Sequence, residues 1–265
     1  MSSTKTVLIT GASKGIGASL ARIFYDKGFN VIGTCRNPEK LDNNNKIKGV
    51  KYLNLDLSND CSIAELINSI PAIDILINNA GSSCMSPVEE TDIDIIKEVF
   101  QINFFGHISV IKGVLPKMRN RKDGLIINIT SFAAHTPVPF SGVYASAKSA
   151  METLSLALNS ELNSFGIKVV SVAPVFVNTK IYQQKICDKR SDYYESFKKV
   201  SDKRDSGISR GMSPESIAEK IFKIACKKKP RYFYAVGKNA EILNTMTKIL
   251  PKTTIINTIK KKFKI

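Results

Sequence analysis

Residues 6–17 read TVLITGASKGIG, and this stretch decides the fold. The apolar run at 6–10 predicts a short strand, and glycines at 11, 15 and 17 predict a tight turn. The amphipathic pattern beyond them predicts a helix to about residue 27. Strand, glycine turn and helix together set a helix N-terminus, with its unpaired N–H groups, against a pyrophosphate. Glycines let the backbone approach the ligand and let the helix pack closely on the strand. Gly11, Ser13, Lys14, Gly15, Ile16 and Gly17 are therefore candidate dinucleotide contacts. The spacing T-G-x-x-x-G-x-G differs from the common G-x-G-x-x-G, and by itself it equally describes a tight strand-to-helix turn.

The same alternation continues outward. A second strand is expected at 30–34, ending in Cys35 and Arg36. An NAD site usually carries Asp or Glu there for the ribose 2′-hydroxyl. Arg36 and the loop residue Lys14 favour a 2′-phosphate instead, hence NADP(H). A third strand (52–55) ends at Asp56-Leu57, whose carboxylate suits an adenine amino group. A helix over 61–70 leads to the strand IDILI and then to Asn78-Asn79-Ala80-Gly81. The asparagines can tie neighbouring strands, and the small Ala-Gly leaves room for a ribose; N-N-A-G is also good turn chemistry.

Residues 92–121 read as one long helix carrying Asn103, where a local kink would free a carbonyl to hold a proton-relaying water. His107 on that helix reads as a packed residue rather than a catalyst. After the strand LIINIT comes Ser131, and thirteen residues later Tyr144, with Lys148 one helical turn beyond. An ammonium beside a phenol favours the phenolate and lowers a pKa that is ordinarily about 10. Reaching 7 needs about 4 kcal/mol, which one lysine rarely supplies alone; a nearby cationic ring such as an oxidised nicotinamide could supply the rest. A hydroxyl donor, a tuned phenol and a cation suit protonation of a carbonyl oxygen while hydride arrives at its carbon.

A sixth strand (168–173) ends in Pro174-Val-Phe-Val177-Asn-Thr179, where the Val177 backbone can bond a carboxamide. Residues 180–212 are polar and charged and read as a short helix on mobile hinges, a lid. Ser213-Pro-Glu opens a capped helix to about residue 228, and RYFYAV is the last strand. Six to seven β-α units without repeat or linker make a single α/β domain over 1–239. Residues 240–265 form a basic amphipathic extension, two helices broken at Pro251, with six lysines and no acid from Ile242 onward. That extension either lies on an anionic membrane or covers the substrate pocket or a subunit interface.

The net charge of +16 raises acidic ligands, membranes and nucleic acids as partners. The lysines lack interleaved aromatics and no groove-reading motif occurs, so no nucleic acid is expected and a nucleic-acid-binding or NADPH-sensing protein is the weaker alternative. Five scattered cysteines without C-x-x-C point to reduced thiols and a cytoplasmic setting. With two histidines, neither a histidine metal site nor a Ser-His-Asp triad is expected. The N-terminus has no signal-peptide pattern, and no apolar run is long enough to span a bilayer.

Thr10-Gly11-x-x-x-Gly15-x-Gly17, Asn78-Asn79-Ala80-Gly81, Asn103, Ser131 and Tyr144-x-x-x-Lys148 resemble, in order and spacing, the motifs of the short-chain dehydrogenase/reductase family over about residues 5–237. The resemblance implies a doubly wound Rossmann-type fold with a roughly seven-stranded parallel sheet flanked by helices on both faces. It also implies Tyr144 as acid/base, Lys148 as its tuner and ribose binder, Ser131 as holder of the substrate oxygen, and Asn103 as water relay. A homodimer or homotetramer through the helices carrying Asn103 and Tyr144 is implied too. Pro174-Val175 stands where the family usually has Pro-Gly, which stiffens that turn. The chain lacks the closing T-G…V-D-G-G of 3-oxoacyl-carrier-protein reductases, which leaves that reading as the alternative. NNAGSSC, NFFGH and Leu250-Pro251 resemble the group of 17β-hydroxysteroid dehydrogenases, retinol dehydrogenases and 1-acyl-dihydroxyacetone-phosphate reductases. Apolar residues near the site (Pro137, Val138, Pro139, Phe140, Val175, Phe176, Ile181) favour a lipophilic ketone or aldehyde.

Overall fold

The computed structural model describes residues 4–41, 46–179, 183–263 and 265. The chain alternates strand and helix from its start. β1 (Thr6–Ile9), α1 (Gly15–Asp26), β2 (Asn30–Cys35), β3 (Lys51–Asn54), α2 (Asp60–Ser69) and β4 (Ile75–Asn78) come first. A short strand β5 (Ser83–Met85) precedes α3 (Ile93–Phe100) and α4 (Gly106–Arg121). Then come β6 (Gly124–Ile129), α5 (Gly142–Glu161), β7 (Ile167–Pro174), β8 (Gln183–Lys185), α6 (Tyr194–Ser209) and α7 (Pro214–Ala225). β9 (Phe233–Val236), α8 (Ala240–Ile249) and α9 (Lys252–Phe263) close the chain.

Seven strands make one parallel sheet in the order β3-β2-β1-β4-β6-β7-β9. Side chains of a strand alternate between faces, so β1 sends Val7 and Ile9 into one apolar layer and Leu8 into the other. Helices cover both layers: Leu20 and Phe24 of α1 with Ile217 and Ile221 of α7 on one side, Leu66 of α2 with Val110 and Val114 of α4 on the other. A strand buried on both faces needs an unbroken apolar run, and ILIN of β4 and GLIINI of β6 are buried throughout. Strand order reverses between β1 and β4, and their carboxyl ends splay apart into a crevice at that point.

The helix expected over 92–121 is interrupted. Gln101–Phe105 forms a single wider π-turn between α3 and α4, with Asn103 buried inside it. The lid segment differs more from expectation. In place of a short hinged helix, α6 spans sixteen residues, and β8 pairs in parallel with β5 to fasten its start. Of the tail, Ile259 and Phe263 on α9 pack against Met85, Phe197 and Val200, so α9 lies on α6. Met246 and Ile249 on α8 stay exposed. No helix among the described residues is long and apolar enough to cross a membrane.

Candidate active site

A cavity of about 550 Å³ opens at the carboxyl ends of β1 and β4. One end is the glycine loop. Gly11 has φ +68°, and a Cβ there would lie 2.9 Å from the Ala80 Cα. Gly17 lets α1 sit directly on that loop, since a Cβ would lie 2.1 Å from the Gly11 oxygen. Lys14 caps α1 without a side-chain hydrogen bond, and no acid stands in the first turn, so the helix end faces the cavity with its backbone donors. The opposite wall is held by asparagines. Asn79 Nδ2 donates to the Thr10 and Gly11 oxygens at 2.9 and 3.2 Å, and Asn78 Nδ2 donates to Asn128 Oδ1 at 2.8 Å. Asn78 and Asn128 are register partners on β4 and β6, so the pair ties the two strands as expected. His107 is buried, its ring nitrogens 3.2 Å from Asn78 Oδ1 and 2.9 Å from the Ala80 oxygen. Burial, with the Lys148 charge adding to it, lowers its pKa to about 3. It is a neutral brace for the Asn78–Gly81 loop.

Ser131 follows β6, and Tyr144 and Lys148 stand on the first turns of α5; all three line the cavity. Ser131 shares a hydrogen bond with the phenol, which lowers the Tyr144 pKa, as does the charge of Arg204. Burial outweighs both and holds the phenol above its ordinary value. This corrects the expectation that the lysine makes the phenol acidic. Lys148 is only 3% exposed, and burial lowers its own pKa to about 8. Its Nζ donates to the Ile129 oxygen at 3.0 Å and lies 6.0 Å from the Tyr144 ring centre.

Gly11, Ser13, Lys14, Gly15 and Ile16 line the cavity, and so do Arg36, Asp56, Leu57, Asn79, Ala80 and Gly81. Pro174, Val177 and Thr179 close the far side. Two expected residues stand behind the wall. Gly17 packs under the loop, and Asn103 is fully buried, with Nδ2 donating to the Ser82 and Val99 oxygens. The Asn103 Oδ1 has no hydrogen-bond partner and would lie 2.8 Å from a Cβ on Gly81, while Lys148 Nζ would lie 3.5 Å from it. Asp56 Oδ1 is engaged by the Ser58 backbone and hydroxyl at 2.9 and 2.6 Å. Val138, Val175 and Phe176 reach the cavity, Phe140 instead packs on Phe197, and Pro137 and Pro139 do not line it. Ile181 lies outside the described residues.

The pattern described as short chain dehydrogenase matches residues 5–190. The chain belongs to that family. This short-chain dehydrogenase, an oxidoreductase by family, is 32% identical over 250 residues to a 3-ketodihydrosphingosine reductase of Bacteroides thetaiotaomicron, covering 91% of each chain. It is 36% identical over 187 residues to an NADPH-dependent 1-acyldihydroxyacetone phosphate reductase of Schizosaccharomyces pombe, covering 68% of this chain and 62% of that one. Among solved structures, a short-chain dehydrogenase from Streptomyces avermitilis superposes with TM-score 0.84 at 27% identity, covering 99% of this chain and 97% of that chain.

One part of the dehydrogenase's cavity was not expected from the sequence, and another had been left open. Arg204 of α6 lines it, although it sits in a charged run. The usable signal was spacing: Phe197, Val200, Ser201, Arg204 and Ile208 recur at helical intervals, which turns Arg204 inward with the apolar residues. Leu243, Met246, Leu250, Ile255, Ile259 and Phe263 of the tail form the outer wall. Of the two placements left open for the tail, these side chains cover the pocket.

Proposed function

We propose that this chain is an NADP(H)-dependent reductase or dehydrogenase interconverting a lipophilic ketone or aldehyde with its alcohol. One observation carries the reading: Ser131, Tyr144 and Lys148 share a single cavity with the glycine loop, Lys14 and Arg36, and more than half of the remaining lining residues are apolar. The fit to a dinucleotide rests on the close approach of Gly11 to Ala80, which leaves no room for a side chain, and on the free N-terminal donors of α1. Gly11, Ser13, Gly15 and Ile16 would hold the pyrophosphate, Lys14 and Arg36 the 2′-phosphate, and Asp56 and Leu57 the adenine. Asn79, Ala80, Gly81 and Lys148 would hold the nicotinamide ribose, and Pro174, Val177 and Thr179 the carboxamide. Bound there, the reduced cofactor supplies hydride.

In this reading Ser131 donates to the substrate oxygen and fixes it beside the phenol. Tyr144, kept protonated by burial, gives its proton to that oxygen. The resulting phenolate is stabilised by Ser131, Arg204 and the Lys148 ammonium. The unpartnered Oδ1 of Asn103, close to Lys148, supports a water-borne path that returns a proton. We read residues 1–239 as the dinucleotide-binding domain with its lid, and 240–265 as the extension that closes the substrate end. Phe105 and Leu156, 51% and 42% exposed near α4 and on α5, support association into a homodimer or homotetramer.

The test is NADPH oxidation with a steroid ketone, retinal, an acyl-dihydroxyacetone phosphate and an acetoacetyl thioester. Turnover of one of the first three supports the reading. Turnover of the thioester alone moves the chain to the carrier-protein reductase alternative, and no turnover of any of the four removes the carbonyl reductase assignment.

A further inference from the structure

Among the described residues Arg204 forms no salt bridge, and the carboxylate of Asp205 reaches it only through its charge. The Arg204 Nη2 donates to the Ser83 hydroxyl at 3.2 Å, and its Nη1 lies 4.0 Å from the Met85 sulfur, both neutral groups that are themselves buried. The neighbouring Asp205 is engaged by Lys185 on the outside of the lid. A half-buried guanidinium that lines a binding cavity and has no bonded carboxylate is well placed to be completed by an anion. Arg204 lines the same cavity as Tyr144 and acts electrostatically on the phenol, so an anion held there would sit close to the reacting oxygen. Lys262 of α9 also lines the cavity, whose acidic lining residues are Asp56 and the exposed Glu98.

We propose that Arg204 receives an anionic group of the substrate, a carboxylate or a phosphate monoester, and so selects an acidic amphiphile over a neutral or amine-bearing one. The carbonyl would lie at Tyr144, the anion at Arg204, and the alkyl chain against Leu243, Ile255 and Ile259. This rests on the reading of the cavity as a carbonyl reductase site. It adds that the lid contributes specificity as well as cover. The planar fork of arginine suits either anion, since both offer paired oxygens.

Equilibrium binding tests it on the full chain saturated with NADP+, which blocks the 2′-phosphate pocket. The probes share one twelve-carbon chain: dodecyl phosphate, dodecanoate, dodecanol and dodecylamine, titrated calorimetrically below their micelle concentrations. At least one anion should bind about tenfold or more tighter than dodecanol, and dodecylamine should bind weakest. Which anion leads decides between phosphate and carboxylate. Arg204→Met should bring the ratio of anion to alcohol near one, and Arg204→Lys should restore part of it. Equal binding of anions and alcohol by the wild type overturns the proposal, as does an undiminished preference in Arg204→Met. Should Arg204→Met fail to melt cooperatively, the wild-type ratio and the Arg204→Lys variant decide alone. Binding needs no turnover, so a failed reductase panel and a failed anion preference are separate results.

Discussion

Lys148 Nζ donates to the Ile129 carbonyl oxygen at 3.0 Å while its ammonium stands 6.0 Å from the centre of the Tyr144 ring. The lysine is thus anchored to the end of a central strand, in a place where burial disfavours its charge and lowers its pKa to about 8. The unfolded chain keeps a lysine protonated up to about 10.4, so between these values it binds the extra proton. Stability attributable to this group therefore rises as pH climbs from about 8, and below 8 the folded protein carries the buried charge at full cost. Lys148→Met should be more stable than wild type at pH 7 by about 2 kcal/mol, the relief of burial less one lost hydrogen bond. That advantage should shrink at pH 9.5. Urea unfolding at the two pH values measures it, and a variant less stable at pH 7 would contradict the account.

Tyr144→Phe removes the phenol without opening space. Turnover should vanish while NADPH affinity stays within about twofold, as cofactor fluorescence would report. Because burial holds the wild-type phenol protonated at neutral pH, reduction should be flat through pH 7. Oxidation of the alcohol requires the phenolate and should climb toward alkaline pH. A phenylalanine variant with substantial activity would remove the acid/base assignment.

Arg36→Ala should weaken NADPH by about 1.5–3 kcal/mol, the range for a hydrogen bond to a charged group, and leave NADH nearly unchanged. Titration of both cofactors separates the outcomes. Equal losses would mean that Arg36, although it lines the cavity, does not read the 2′-phosphate.

Burial and the Lys148 charge hold His107 neutral, with a folded pKa of about 3, while its ring nitrogens face the oxygens of Asn78 and Ala80. Below about pH 6.5 the unfolded chain takes up a proton that the folded one refuses, so stability falls on acidification toward pH 3 by about 3–5 kcal/mol from this group. His107→Gln should be less stable at pH 7 but flatter across this window. Chemical denaturation at pH 7, 5.5 and 4 would show whether the slopes differ; parallel slopes would refute the assignment.

Ile242 and Ile249 on α8 are 63% and 74% exposed, and the tail around them is basic. We propose that this outer stripe touches an anionic membrane while the inner face covers the pocket. Ile249→Gln, at an exposed position and neutral in charge, should reduce co-sedimentation with vesicles of phosphatidylserine and phosphatidylcholine. The fold should survive, as its thermal melt would confirm. Unchanged co-sedimentation, or none in the wild type, would leave the stripe without a lipid role.

Much of the architecture was legible because it rests on local rules. Period two and period 3.6 are properties of the backbone, so TVLI, GLIINI and the helix carrying Tyr144 and Lys148 declare themselves within a few residues. The glycine loop was equally plain, since only glycine tolerates the approach of Gly11 to Ala80. Arg204 was hidden by its charged neighbours, and the full sixteen-residue length of α6 by a polar composition that reads as a short hinged helix. The direction of the Tyr144 shift was not legible at all. Desolvation is summed over everything that covers a group, and here it outweighs the opposing effects of Ser131 and Arg204, which come from distant elements.

By itself, then, the sequence determined the order of strands and helices, the glycine cradle and the presence of a serine, a tyrosine and a lysine at family spacing. Only the tertiary structure decided that the phenol is protonated, that the lysine is tied to Ile129, and that a lid arginine and the C-terminal helices complete the cavity. Spacing along a helix or strand is dictated by neighbouring peptide units, whereas burial and charge depend on which distant segments come to lie against one another.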